Sequence, residues 1–172
     1  MTNEVLVRTA RPEDAAAIAE IYSESILARD STMDIDPWTE ETALGLLHGL
    51  TERETVVVLE AQGVVTGWGI VKKYSDRPGY RVACETSLYV RRGHSGRGYG
   101  SAIQTKLHRR ARRLGYHHIV AKIWADNERS VGMHRKMGFE MVGIQREIGL
   151  VDGIRRDIAL MQRILDGDDN PA

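Results

Sequence analysis

The spacing of hydrophobic and polar residues divides the chain into strands and helices. Short apolar runs rich in β-branched residues predict strands, and apolar residues three or four positions apart predict amphipathic helices. Strands are predicted at residues 5–7, 55–59, 64–71, 83–90, 118–124, 139–148 and 156–164. Helices are predicted to begin near Arg11 and Thr39 and to cover residues 98–114 and 127–137. The resulting order is strand, two helices, three strands, helix, strand, helix and two strands.

This order predicts an α/β fold in which about four helices flank a mixed sheet. The strands at 55–59 and 64–71 are separated by the Gln62-Gly63 turn and are expected to form a hairpin. A helix follows the strand at 83–90, which predicts a crossover connection at that point. At 172 residues the chain is most simply one domain, residues 1–165, and the polar ending 166–172 is predicted to be a flexible tail.

Composition excludes several classes of function. The 24 basic residues balance the 24 acidic ones, so no overall field recruits nucleic acid or an anionic membrane. No stretch reaches the roughly 18 apolar residues of a membrane helix and the amino terminus lacks a signal pattern, which predicts a cytoplasmic protein. The single cysteine, Cys84, is predicted to be a buried structural thiol. The histidines have no carboxylate or cysteine at ligand spacing, so no metal site is expected.

A glycine-rich stretch follows the predicted strand at 83–90 and leads directly into a helix. Its sequence is Arg-Arg-Gly-His-Ser-Gly-Arg-Gly-Tyr-Gly, residues 91–100. Glycine lets the backbone approach an anion closely, and the first N–H groups of a helix favour negative charge, so the stretch predicts a phosphate site. The spacing fits neither a dinucleotide fingerprint nor a Walker loop. A flexible turn is the alternative, and Arg97 and the immediate helix start weigh against it.

Three segments together resemble the acetyl-coenzyme A (acetyl-CoA) site of the GNAT N-acetyltransferases. They are the glycine stretch, the strand Ser-Leu-Tyr-Val at 87–90, and the pattern Asn-x-x-Ser-x-x-x-His-x-x-x-Gly-Phe at 127–139. Residues 77–81, the strand with Glu85, His134 and residues 157–163 resemble the phosphinothricin and methionine sulfoximine acetyltransferase branch. The resemblance covers nearly the whole chain. It implies a GNAT fold, acetyl-CoA as co-substrate, N-acetylation of a small amino acid or analogue, and a homodimer.

The resemblance also implies which residues bind the cofactor. The implied set is Leu88, Tyr89, Val90, Ser95, Gly96, Arg97, Gly98, Tyr99, Gly100, Ser101, Asn127 and Ser130. The backbone N–H groups of residues 88–90 are expected to donate to the thioester oxygen. Ser95 stands where the family usually has glutamine or arginine, so one pyrophosphate contact is either lost or supplied by Arg92 or Arg97.

Two side chains are candidates for proton transfer. Glu85 would act as general base on the acceptor amine, directly or through water, and an ordinary strand ion pair is the alternative. His134 stands where the family most often has a tyrosine acid, and its imidazole would protonate the leaving thiolate. The alternative for His134 is a helix histidine that faces solvent.

The acceptor site is the least defined part of the sequence. Arg77 and Tyr80 lie in the loop that the resemblance places at the acceptor, and an arginine fork suits a carboxylate or phosphinate. Thr32 and Met33 are predicted to line the same pocket, and a solvated loop is the alternative for all four residues. Other open functions are acetylation of a protein amino terminus or a polyamine, and a non-catalytic coenzyme A-binding regulator. The basic helix at 106–113 lacks interleaved aromatic residues, which disfavours nucleic-acid binding.

Overall fold

A seven-stranded sheet with helices on both faces forms the protein, seen in a computed structural model that describes residues 5–165. The strands are β1 Val5–Thr9, β2 Thr55–Ala61, β3 Val64–Lys73, β4 Ala83–Val90, β5 His118–Trp124, β6 Glu140–Val151 and β7 Ile154–Ile164. The helices are α1 Ala15–Ala28, α2 Glu40–His48, α3 Tyr99–Arg113 and α4 Glu128–Lys136. The predicted order of elements and the α/β class are therefore confirmed. The predicted tail, residues 166–172, lies outside the described residues.

The sheet has one break in its pattern, between β4 and β5. The strand order is β1-β2-β3-β4-β5-β7-β6, and neighbouring strands are antiparallel except for the parallel pair β4 and β5. That pair extends only from Ala83 opposite His118 to Glu85 opposite Val120. Beyond this point β4 continues along β3 to Val90 and β5 continues along β7 to Trp124. The two strands therefore separate, and a V-shaped opening lies between them.

Helices α3 and α1 pack on opposite faces of the sheet and fix the strands around this opening. Helix α3 packs on the sheet through an apolar face, on which Ile103, Leu107 and Ala111 are fully buried. A Cβ atom added at Gly69 of β3 would lie 2.7 Å from Ile103, so the glycine permits close approach of α3. On the other face α1 buries Ile18 and its neighbours against β2 and β3. Each methylene buried in this way contributes about 0.8 kcal/mol.

Strand β6 is exposed over most of its length. It lies at the edge of the sheet, and Val142, Ile144, Ile148 and Leu150 are all exposed. Only its last residue, Val151, is buried, in a small cluster with Trp124 and Ile158. An apolar edge strand of twelve residues is a surface suited to association.

Candidate active site

The separation of β4 and β5 opens a cleft of about 1010 Å³. One side is formed by the end of β4 and by the glycine loop, which we define as residues 91–98. The other side is formed by residues 121–124 of β5 and by α4. The lining includes apolar side chains such as Leu88 and Ile123 and polar ones such as Ser130 and Lys122, which suits a ligand with both kinds of group.

The glycine loop presents main-chain donors to the cleft. Gly93, Gly96 and Gly98 all have φ between 77° and 83°, the left-handed region that other residues rarely adopt. Gly98 is the N-cap of α3, and the first helical bond runs from the N–H of Ala102 to its carbonyl. The N–H groups of the three residues between them have no helical partner, so they are available to an anion.

Acidic residues of α1 and of the loop that follows it bind two arginines of the glycine loop. Glu24 accepts hydrogen bonds from Arg91 Nη1 at 2.9 Å and from the backbone N–H of Arg92 at 2.8 Å. Arg92 forms a two-pronged pair with Asp30 at 2.7 and 2.6 Å. Arg91 also pairs with Glu20. These contacts fix the position at which the loop leaves β4.

The upper half of β4 has backbone groups that face the opening. The N–H of Arg91 donates to Thr66, and the carbonyl of Ala83 accepts from Tyr74, so odd-numbered residues of β4 direct their backbone groups to β3. Because these groups alternate along a strand, the N–H groups of Leu88 and Val90 face the cleft instead. They lie beyond the last residue that pairs with β5.

The start of α4 closes the cleft beside α3. The Asn127 side chain caps the helix by accepting a hydrogen bond from the Ser130 N–H at 3.1 Å, as predicted for a helix-start residue. Met133 of α4 packs on Gly100 of α3, since a Cβ atom at Gly100 would lie 2.9 Å from its sulfur. Glycine at this position therefore lets the two helices approach closely.

His134 is buried on α4, with 5% of its surface exposed, which excludes the solvent-facing alternative. Its Nδ1 lies 2.8 Å from the carbonyl oxygen of Ser130. Because a carbonyl can only accept, Nδ1 carries a proton and donates it. Burial lowers the pKa of His134 below its usual value, against a smaller opposing effect of that hydrogen bond. The resting imidazole is therefore neutral, with a lone pair on Nε2.

Glu85 lies where β4 and β5 begin to separate, and it is 9% exposed. One carboxylate oxygen is 3.5 Å from Lys72 Nζ, and the other is 2.9 Å from Lys122 Nζ. The ion pair considered from the sequence is thus present. It does not exclude a role as base, because a carboxylate has about four acceptor positions and the two lysines use two of them.

The sequence that builds this cleft matches a known protein family. Residues 7–159 match the model of a family described as the acetyltransferase (GNAT) domain. The chain belongs to the GNAT acetyltransferases.

Similar GNAT proteins are known by sequence and by structure. The chain is 34% identical to the L-amino acid N-acyltransferase MnaT of Escherichia coli, over 96% of each chain. It is also 34% identical to the L-methionine sulfoximine/L-methionine sulfone acetyltransferase of Salmonella typhimurium, over 93% of this chain and 94% of the relative. The phosphinothricin acetyltransferase Pat of Sinorhizobium meliloti, solved in complex with acetyl-CoA, superposes with a TM-score of 0.86 at 32% identity, over 94% of this chain and 88% of that one. The predicted family and branch are confirmed.

Most of the cofactor-binding residues predicted for this GNAT protein line the cleft. They are Leu88, Tyr89, Val90, Ser95, Gly96, Gly98, Tyr99, Gly100, Ser101, Asn127 and Ser130. Arg97 is exposed and does not line it. Of the two catalytic candidates, His134 lines the cleft, whereas Glu85 lies at its narrow end beside the lining residue Lys122.

The four predicted acceptor residues do not themselves line this cleft. The hydroxyl of Thr32 is 2.7 Å from that of Tyr22, and Met33 packs with Trp124. These contacts anchor the loop between α1 and α2. Arg77 and Tyr80 lie in the connection between β3 and β4, at the opposite end of β4 from the glycine loop. None of the four lines the cleft of its own chain.

Two residues of β5 were not predicted from the sequence. Lys122 and Trp124 both line the cleft and project from the same face of the strand, since they are two positions apart. The available signal was a lysine between Ala121 and Ile123, inside an otherwise apolar strand. Such a charge is costly to bury unless it is paired or exposed to a ligand site.

Cys84 is fully buried, and burial raises the pKa of its thiol to about 12, so it is an unreactive core residue as predicted. Among residues 5–165, no three His, Cys, Asp or Glu side chains are grouped so that they could hold a metal ion. Within that same range, every helix is too short or too polar to cross a membrane.

Proposed function

We propose that this GNAT protein is an acetyl-CoA-dependent N-acetyltransferase that acts on the amino group of a small amino acid or analogue. The observation that carries the proposal is a single cleft with anion-binding main-chain groups on one side and a carboxylate, Glu85, at its narrow end. The acceptor class follows the names of the relatives, which acylate L-amino acids and acetylate methionine sulfoximine or sulfone. Phosphinothricin belongs to the same class of acceptor.

The residues around the glycine loop fit the pyrophosphate of a coenzyme A thioester. A Cβ atom added at Gly96 or Gly98 would meet nothing within 4 Å, so the loop leaves open space where its backbone can approach a ligand. The free N–H groups at the start of α3 face the same space, and the positive end of the helix favours an anion. Ser95 does not weaken this arrangement, because the donors belong to the main chain. When bound, acetyl-CoA supplies the acetyl group as an activated thioester.

Glu85 is the proposed general base. An amine must be neutral to attack a carbonyl, and the amino group of an amino acid is largely protonated at neutral pH. The carboxylate of Glu85 would accept that proton, directly or through water. Its two lysine partners hold the carboxylate in place from opposite sides.

The N–H groups of Leu88 and Val90 are the proposed donors to the thioester oxygen. They are fixed by the strand and face the cleft, so no reorganisation is needed as negative charge develops on that oxygen. His134 is the candidate for protonating the departing thiolate. Because its resting form is neutral and its Nδ1 proton is bonded to Ser130, only the protonated minority could donate from Nε2. We propose that His134 contributes less to the rate than Glu85.

A thiol-release assay tests the proposed function. Purified protein would be mixed with acetyl-CoA and a panel of amines: L-amino acids, methionine sulfone, methionine sulfoximine, phosphinothricin, a polyamine and a peptide amino terminus. We expect release of free coenzyme A with members of the amino-acid class and acetylated product by mass spectrometry. Turnover with only the peptide or only the polyamine would show that the acceptor is not an amino acid. Cofactor binding without turnover of any amine would instead indicate a regulator.

A homodimer is proposed for the quaternary structure. The exposed apolar residues of β6, among them Val142 and Ile144, form a surface that a second copy could cover. Light scattering coupled to gel filtration should give about twice the 19.3 kDa mass of one chain. A single-chain mass at micromolar concentration would contradict the proposal.

A cytoplasmic location, a single domain at residues 1–165 and the absence of nucleic-acid or membrane partners stay predictions from the sequence.

A further inference from the structure

Lys122 is placed between the candidate base and the cleft. Its Nζ lies 2.9 Å from Glu85, and its side chain is 47% exposed and lines the cleft. An ammonium group has three donors, and the ion pair with Glu85 uses one of them. Lys72, the second partner of Glu85, is exposed to a similar degree but does not line the cleft. Of the two lysines, only Lys122 can therefore contact a ligand in the cleft.

The other cations that line the cleft near α1 already have partners. Arg92 is bound by both oxygens of Asp30. Arg29 donates to Asp152 at 2.8 Å and to two backbone carbonyls. Arg129 and Lys136 belong to α4, which packs on the cofactor side through Met133. Lys122 is thus the cleft-lining cation that is paired with Glu85.

We propose that Lys122 binds the negatively charged group of the acceptor and thereby selects amino acids over neutral or cationic amines. This inference rests on the proposed function and names the residue that determines its substrate class. Lys72, Lys122 and Glu85 together carry one net positive charge, which an acceptor carboxylate or phosphinate would neutralise. A polyamine would add positive charge to the same cluster. The charge balance therefore favours an anionic acceptor.

The spacing of Lys122 and Glu85 matches the two ends of an amino acid. The amine and the carboxylate of an α-amino acid are attached to the same carbon atom. An acceptor whose carboxylate contacts Lys122 therefore has its amine close to the carboxylate of Glu85, where the proton must be taken. Trp124, two residues further on the same face, has a buried indole N–H without a hydrogen-bond partner within residues 5–165.

The test compares a charged acceptor with its uncharged counterpart. L-Methionine sulfone and its primary amide would be assayed with the wild-type protein, Lys122→Met, Lys122→Arg and Lys72→Met. Loss of a charge-assisted hydrogen bond should lower kcat/KM of Lys122→Met for the acid by about 10- to 100-fold and leave the value for the amide within a few fold. Lys122→Arg and Lys72→Met should keep the preference for the acid. An unchanged acid-to-amide ratio in Lys122→Met would overturn the inference.

Two further measurements separate this inference from the proposed function. Titration calorimetry of methionine sulfone gives its affinity without turnover, and a thermal melt together with the acetyl-CoA affinity shows that each variant is folded. If the wild type binds the acid through Lys122 but acetylates no amine, the proposed function fails and the inference stands. If the wild type acetylates amino acids and Lys122→Met binds them equally well, only the inference fails. If the wild type neither binds nor acetylates the acid, both fail.

Discussion

The two sides of the cleft are built from different parts of the chain. The loop side, which comprises the glycine loop and the start of α3, offers main-chain N–H groups set by glycines with positive φ. The strand side, which comprises β5 with Glu85 at its narrow end, offers the side chains of Lys122 and Trp124. A main-chain site tolerates changes such as Ser95, because its donors do not depend on side-chain identity. The ligand preference of a side-chain site, in contrast, depends on which residues supply its donors and charges.

The largest effect is expected on the strand side, at Glu85. Glu85→Gln keeps the size of the side chain but removes its ability to take a proton. We expect kcat to fall by about 100-fold or more, with the acetyl-CoA affinity unchanged. Steady-state kinetics and calorimetry would measure the two quantities. The control is Glu13→Gln, since Glu13 is an exposed glutamate in the short segment between β1 and α1. A kcat within threefold of the wild type would show that Glu85 is not the general base and that its role is the ion pair with the two lysines.

The second effect tests the loop side. Gly98 and Gly63 have nearly the same φ, 77° and 76°, and neither would place a Cβ atom within 4 Å of another group. Alanine at either position should therefore cost about 1–2 kcal/mol of stability from the left-handed backbone alone. Only Gly98→Ala shifts the donors at the start of α3, so only that variant should raise the KM for acetyl-CoA, by about tenfold. Equal KM values for the two variants would show that the loop does not hold the cofactor.

The same contrast explains what the sequence could predict. The strands follow apolar runs, and the loop follows glycine spacing, so both are visible in a local pattern. Lys122 is also visible, as a charge in an apolar strand, but its partner Glu85 is 37 positions earlier in the sequence. The pairing depends on the parallel register of β4 and β5, which no local pattern specifies. The pairing of Lys122 with Glu85 could therefore not be predicted from the sequence, and the acceptor role of Arg77 and Tyr80 stays a prediction.

The support of the loop by α1 was missed for the same reason. Arg91 and Glu24 are separated by 67 positions, and they meet because α1 packs across β3 and β4. In Glu24→Ala the backbone N–H of Arg92 loses its acceptor. We expect the KM for acetyl-CoA to rise by about 3- to 5-fold with kcat unchanged. Glu20→Ala is the matched control, because Glu20 also pairs with Arg91 but does not contact the loop backbone. An equal rise in both variants would assign the effect to the charge of Arg91.

A smaller effect on kcat than at Glu85 is expected at His134, a side chain of α4 on the opposite side of the cleft from the glycine loop. In His134→Asn the amide nitrogen can still donate to the Ser130 carbonyl, which retains the local structure. Because the resting imidazole is neutral, we expect kcat at pH 7 to fall by less than about tenfold, well below the effect of Glu85→Gln. A loss of about 100-fold would instead make His134 the main proton donor.

Stability gives an independent measurement at the same residue. Burial holds the pKa of His134 in the folded state below the value of about 6.5 expected in the unfolded chain. The unfolded chain therefore binds a proton first as the pH falls, and the free energy of unfolding should decrease from about pH 6.5 downward until the folded state is also protonated. His134→Asn removes this titration, so the variant should lose less stability than the wild type over that interval. Parallel curves in urea titrations would mean that His134 titrates normally in the folded protein and can serve as an acid.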